Sequence, residues 1–515
     1  MALFETVVSL LLVAAILLRL SRRLHAPYPT MLALAGAAVA SFSWAPRVSI
    51  DPHLALALFV APAILNTAYD TSPRELRRNW LPLIALAFFA VVLTSAAVAW
   101  LGWAYAGLPL AAAIALGAIV APPDSAAGSA VLGSLGIPRR TMSILQGESL
   151  LNDAVALLIF GGAVAATGGD AAALSVLPKL LLAAPGGLLL GALIGWGYVQ
   201  LWPLWAGTLS ATILEFASTF GVWLLAERLG VSPVLSIVGF AMLAAHYAPA
   251  RQRPRDRVHS ESVWDAAVFV LNVLAFLLMG LQAHAIIQRL QGPELWSALR
   301  FAGLVFLVVV LVRLIWVMTY RNIFQPLSTR LPDTSQPHSN QRLRLLVAWC
   351  GMRGVLTLAT ALSLPDSFPG RDVIVLSAFG VVLGTLIIQG STISLLIRWL
   401  RIPSDSTLEG DIAAARQHLA QAGLRELQAR DDAPSKQRDA LLEALASRAL
   451  TSSGPDLQAG ADAMRLAVTV AQRRALIEMH RQGSIAEDAF RLLQQELDWR
   501  ELSLAPLDAR AIAEA

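Results

Sequence analysis

The sequence predicts an all-α polytopic membrane protein of about 13 transmembrane helices, some discontinuous, followed by a helical domain on the cytoplasmic side. Three observations lead there. The 515 residues are 56% hydrophobic and 14% charged, with a mean hydropathy of +0.62, whereas a soluble domain carries roughly 25% charge. The apolar residues gather into runs near or above the ~20 residues a helix needs to cross a bilayer. The charge is also partitioned: Pro403–Ala515 holds 13 Lys+Arg against 18 Asp+Glu, while the whole chain holds 39 against 35. A basic membrane domain, 1–402, thus precedes a slightly acidic tail, 403–515.

The spans are expected near 1–20, 29–45, 51–69, 79–101, 106–135, 140–166, 172–202, 207–229, 231–248, 263–290, 296–325, 341–364 and 371–400. The first begins apolar and ends in Arg19, Arg22 and Arg23, the reverse of a cleaved signal peptide. Clusters such as Arg74–Arg78, Pro138–Arg140, Arg251–Arg257 and Arg398–Arg401 fall at alternate span ends, whereas Thr167–Asp170 and Gln291–Glu294 lack Lys and Arg. By the positive-inside rule the N-terminus is outside and the tail cytoplasmic. Compact loops favour a bacterial inner membrane. In the tail, Leu424–Leu450 and Ala461–Trp499 have helical spacing. The single cysteine, Cys350, excludes an internal disulfide. Neither a phosphate-cradling glycine loop nor a His/Cys cluster stands in the sequence, so no cofactor, transition metal or nucleic-acid partner is expected.

Chemistry is concentrated in three places. The sixth span contains Gly147-Glu148-Ser149-Leu150-Leu151-Asn152-Asp153-Ala154. A carboxylate in hydrocarbon costs about 2.5–3.5 kcal/mol on insertion scales, and this span has two. Helical spacing puts Glu148 and Asn152 on one face and Ser149 and Asp153 on a neighbouring one, about 100° away. The fifth span reads Ala121-Pro122-Pro123-Asp124-Ser125. Paired prolines break a helix, and such a break at membrane depth belongs beside a cavity. The twelfth reads Gly351-Met352-Arg353-Gly354, a buried cation that requires a carboxylate. Glu148 is the expected partner, leaving Asp153 without a permanent cation and free to exchange a proton for a small cation. Hard cations take oxygen ligands, which Asp153, Asp124, Ser149 and the carbonyls at Pro122 and Pro123 supply. Spans four to six and eleven to thirteen run in opposite senses, each with a broken middle member, the layout of an inverted repeat. Arg313 is expected to neutralise a carboxylate or snorkel, and His246 to lie at a span end. Glu215, Asn272 and Asn66 have no assigned role.

These motifs, with Trp264-Asp265, Phe276-Leu277-Leu278-Met279-Gly280 and Gln389-Gly390-Ser391-Thr392, resemble the sodium/proton exchanger branch of the monovalent cation:proton antiporter superfamily over residues 1–400. The resemblance implies a transporter, not an enzyme. It implies electroneutral exchange of one Na+ (K+ being the competitor, Li+ carried too) for one H+ by alternating access, serving pH and sodium regulation. Asp153 would carry both ions, with Ser149 and Asp124 completing the site and Asn152 marking the electroneutral branch. Glu148 and Arg353 would be the structural pair, and the protein a homodimer. The sequence departs from the pattern at Pro123 and Ser125, which flank Asp124, and at Asn66, near where many members carry an acid. A channel would need a continuous pore, and an intramembrane aspartyl protease has no place for Arg353.

Overall fold

The computed structural model describes residues 2–24, 28–40, 51–71, 73–124, 139–167, 170–205, 208–251, 254–289, 292–328 and 341–401, with 487–504 and a few positions of 466–476 in the tail. Every described element is helical. The chain divides into two compact units, 1–404 and 405–514.

In the first unit, helices stand at all thirteen expected places. They are α1 (Ala2–Leu24), α2 (Tyr28–Ala40), α3 (Pro52–Asp70), the short α4 (Pro73–Arg78), α5 (Trp80–Ala106), α6 (Leu110–Val120), α7 (Arg139–Ala166), α8 (Asp170–Leu201), α9 (Leu209–Arg228), α10 (Pro233–Arg251), α11 (Pro254–Arg289), α12 (Pro293–Ser328), α13 (Gln341–Trp349), α14 (Val355–Leu362) and α15 (Arg371–Leu400). Six of them contain stretches long and apolar enough to cross a membrane. The protein is therefore an all-α polytopic membrane protein.

Two helices end within apolar sequence, one at a pair of prolines and one among glycines. α6 stops at Val120, just before Pro122 and Pro123, whose missing N–H groups cannot continue the ladder. The twelfth span splits into α13 and α14 around 350–354. π-turns interrupt two further helices, at Ala85–Phe89 in α5 and Thr385–Gln389 in α15. Such turns release carbonyls and shift side-chain phase. Trp316 of α12 donates to the Ala85 carbonyl (2.8 Å), and the Thr385 hydroxyl accepts from the Arg353 N–H (3.1 Å).

One apolar core joins α5, α6, α12 and α15. A second joins α3 with α8, α9 and α10, and a third joins α1, α2 and α11. α15 ends at Arg401, whose left-handed backbone (φ 47°) closes the helix. In the second unit, α16 (Glu487–Leu504) runs past the expected end at Trp499. Arg473 bonds Asp498 (2.7 Å) and Glu501 (2.5 Å) on it; those contacts hold the Arg473 guanidinium above its ordinary pKa. The stretch expected at Leu424–Leu450 lies outside the described residues.

Candidate ion-binding site

The two broken spans cross, and each supplies what the other's loose ends lack. A helix C-terminus leaves carbonyls without donors, and an N-terminus leaves N–H groups without acceptors. Arg353, 1% exposed, donates to the carbonyls of Val120 (3.0 Å), Ala121 (3.1 Å) and Gly351. One guanidinium thus serves the ends of both α6 and α13, where the helix dipoles concentrate negative charge. Asp124 does the converse. Its N–H donates to the Met352 carbonyl (2.7 Å), and its carboxylate accepts from the Val355 N–H (3.2 Å), the start of α14.

This corrects the expected pairing of Glu148 with Arg353. Glu148 of α7 is held by Arg313 of α12 through two parallel bonds, 2.5 and 3.1 Å, with Arg313 also reaching the Val347 carbonyl (3.3 Å). The two side chains are 1% and 3% exposed. Bidentate geometry of this kind is the strong form of an arginine–carboxylate contact. The glycines explain why both arginines fit. A Cβ on Gly351 would strike the Arg313 side chain, and one on Gly354 would strike the Asp124 carboxylate. Arg313 passes through the space that Gly351 leaves, while Arg353 turns to the carbonyls.

Asn152 lies fully buried and donates through Nδ2 to the Pro123 carbonyl (3.2 Å). It therefore fixes the unwound backbone, while its Oδ1 is buried without a hydrogen-bond partner. One helical step further, Asp153 is partly exposed to a cavity of about 40 Å³, roughly three times what one water requires. The cavity is lined by Asp153, Ser149 and Leu150 of α7, by Pro122, Pro123 and Asp124, and by Val355, Leu356 and Thr357 of α14; α3 adds Phe59, Val60, Ala63, Ile64 and Thr67, and α11 adds Asn272. Among the described residues no Lys or Arg pairs with Asp153. The five predicted ligand residues, Asp153, Asp124, Ser149, Asn152 and Pro123, thus converge.

Sequence reading missed Thr67, Thr357 and the placement of Asn272. On α3 it singled out Asn66, yet its neighbour Thr67 faces the cavity, one residue being about 100° of helix. Thr67 Oγ1 also donates to the Ala63 carbonyl (3.0 Å). Cys350 is a buried free thiol, and no group of His, Cys, Asp and Glu that could hold a metal occurs among the described residues.

Residues 7–399 match the family model for the transmembrane sodium/hydrogen exchanger. A Mycobacterium tuberculosis relative described as an uncharacterized Na(+)/H(+) exchanger is 30% identical over 98% of this chain and 97% of its own. A sodium, potassium, lithium and rubidium/H(+) antiporter of Bacillus pumilus is 29% identical, covering 78% of this chain and 61% of its own. The sodium proton antiporter MjNhaP1 of Methanocaldococcus jannaschii shares the fold, with a TM-score of 0.59 over 76% of this chain and all of that one, at 18% identity.

Proposed function

The chain belongs to the sodium/hydrogen exchanger family, multi-pass membrane transporters that exchange a cation for protons, and from that membership we propose that it carries Na+ against H+ at Asp153. One observation carries this reading: a carboxylate without a permanent cation opens on a cavity lined with oxygen ligands at the crossing of two broken helices. Asp153 and Ser149 face that space from one helix. Thr67, Thr357 and Asn272 add neutral oxygens. Asp124 serves chiefly to hold the N-terminus of α14, and its charge also lowers the cost of a cation nearby. Asp153 binds either a proton or the cation, never both, so exchange is one for one and electroneutral. Glu148 and Arg353 do not exchange ions, since each is committed to a structural partner.

Alternating access would expose the cavity to each side in turn. The crossing of Pro122–Asp124 with Gly351–Gly354, and the π-turns in α5 and α15, fit two triplets of opposite sense, an inverted repeat about the site. The remaining proposals extend the family reading: a homodimer in a bacterial inner membrane, N-terminus outside and tail cytoplasmic, the transmembrane domain spanning 1–402 and the tail domain 403–515, working in sodium and pH homeostasis. Potassium is the second reading, favoured by the neutral Thr67 at the cavity wall and by the ion range in the name of the Bacillus pumilus relative.

Everted vesicles carrying a proton gradient test the assignment. Sodium, lithium or potassium is added separately, to wild type and to Asp153→Asn. A sodium response absent from the mutant is expected. A potassium response alone would change the cation, and transport retained by the mutant would remove Asp153 as carrier.

A further inference from the structure

A second buried carboxyl stands apart from the Asp153 cavity. Glu215 of α9 is 8% exposed, and among the described residues no Lys or Arg pairs with it. Ser260 of α11 donates to its carboxylate. Trp264, one turn further along α11, lies beside it with its ring stacked on Phe216 at 4.2 Å. From α8, Tyr198 faces it, and Trp202 packs against Tyr198 at 5.6 Å. The Tyr198 hydroxyl and the indole N–H of Trp202 are buried without hydrogen-bond partners.

An isolated ionisable group buried inside a membrane domain is a functional candidate, and the chemistry of this cage selects its ligand. Two indoles can only donate, which leaves Glu215, Ser260 and Tyr198 as the side-chain oxygens of the cage, few for a metal cation. The two hydroxyls, by contrast, can donate to an ionised carboxylate or accept from a protonated one. Both protonation states are therefore accommodated without rearrangement. The other titratable groups on neighbouring elements are few. Tyr69 of α3 interacts with Tyr198, Asp265 on α11 is exposed, and His246 and Tyr247 of α10 meet edge to face at 4.9 Å. α3 also links the cage to the ion cavity, since Tyr69 lies two residues beyond Thr67.

We propose that Glu215, with Ser260 and Tyr198, forms a second proton-binding site, separate from Asp153, that sets the pH range over which exchange runs. This role in regulation rests on the exchanger reading, whereas the binding of a proton does not. Full-length protein in liposomes, titrated with protons alone in a choline buffer, is read by the carboxylic-acid C=O band in infrared difference spectra. Asp153→Asn should retain a pH-dependent band that the additional change Glu215→Gln abolishes. Ser260→Ala should move its midpoint toward higher pH, since it removes a donor to the carboxylate, and Tyr198→Phe, which removes the neighbouring hydroxyl, should also shift it; these variants carry the test if Glu215→Gln fails to accumulate. In vesicles, Glu215→Gln should retain sodium-driven exchange but shift its pH profile by about one unit or more. A band unaltered by these substitutions, or a profile superimposable on wild type, overturns the proposal. Loss of sodium-driven exchange by wild type itself would instead remove the exchanger reading and leave the infrared result standing.

Discussion

Glu148 and Asp153 lie five residues apart on one helix, and their surroundings give them opposite duties. Glu148 is locked into a bidentate pair with Arg313, with both side chains almost wholly buried. Removing its carboxylate would strand an arginine in a dry interior. Asp153 has no cationic partner among the described residues and borders a cavity. Its charge can be satisfied by whatever enters, a proton or a small cation. The comparison separates two settings of buried charge: one carboxylate is paired to a guanidinium on a neighbouring helix, and the other borders a cavity, as the proposed exchange requires.

The largest effect should come from removing the one that borders the cavity. Asp153→Asn keeps the shape and the hydrogen-bonding capacity of the side chain and loses its titration. Cation-driven proton movement in vesicles should fall to background, while the melting temperature of purified protein stays near wild type. Unfolding of the mutant would mean that Asp153 is structural after all and would erase the contrast with Glu148.

Next in size is the locked pair. Glu148→Ala or Arg313→Ala strands the other charge, which typically costs about 3–5 kcal/mol, and should lower the melting temperature in detergent sharply. Replacing both ends with apolar residues of similar volume, Glu148→Leu with Arg313→Met, should recover most of that loss, since a buried pair contributes little net stability against a well-packed apolar substitute. A double variant no more stable than the singles would show that the pair also orders α7 against α12. Arg353→Ala leaves the pair intact and takes charge-assisted hydrogen bonds, worth about 1.5–3 kcal/mol each, from the carbonyls of Val120, Ala121 and Gly351. A drop in melting temperature at least comparable to that of the single pair variants, with a marked loss of exchange rate, is expected, because the crossing that shapes the cavity loosens.

These distinctions were unequally legible in the sequence. The break at Pro122-Pro123 could be read directly, because proline removes donors wherever it stands, and that at Gly351–Gly354 from two glycines, poor helix formers, flanking a charge in an apolar span. Ser149 and Asp153 could be placed on one face by helical spacing, and Asp124 beside the site by its position directly after the proline break. Which arginine meets Glu148 could not be read. Arg313 and Arg353 both sit in apolar spans, and the choice depends on how α12 crosses α13. A trace of the answer was present in Gly351, where a bare backbone makes way for a passing side chain, but a glycine does not name what passes it. Asn66 and Thr67 present the same difficulty at smaller scale, since the rotation of α3 is fixed by its neighbours, not by its own pattern.

Thr67 gives the finest test of how complete the cavity is without a third carboxylate. Thr67→Val conserves shape and removes one hydroxyl from the wall opposite α7, together with a bond to the Ala63 carbonyl that lies along its own helix. A single neutral oxygen contact contributes about 1 kcal/mol, which corresponds to roughly fivefold in binding. The sodium concentration for half-maximal exchange should rise by about that factor, with the maximal rate nearly kept, and the ratio of sodium to potassium response should change. An unaltered dose response for both cations would mean that Asp153 and Ser149 hold the ion without help from α3. Selectivity would then rest on the α7 face and the unwound backbone that Asn152 pins in place.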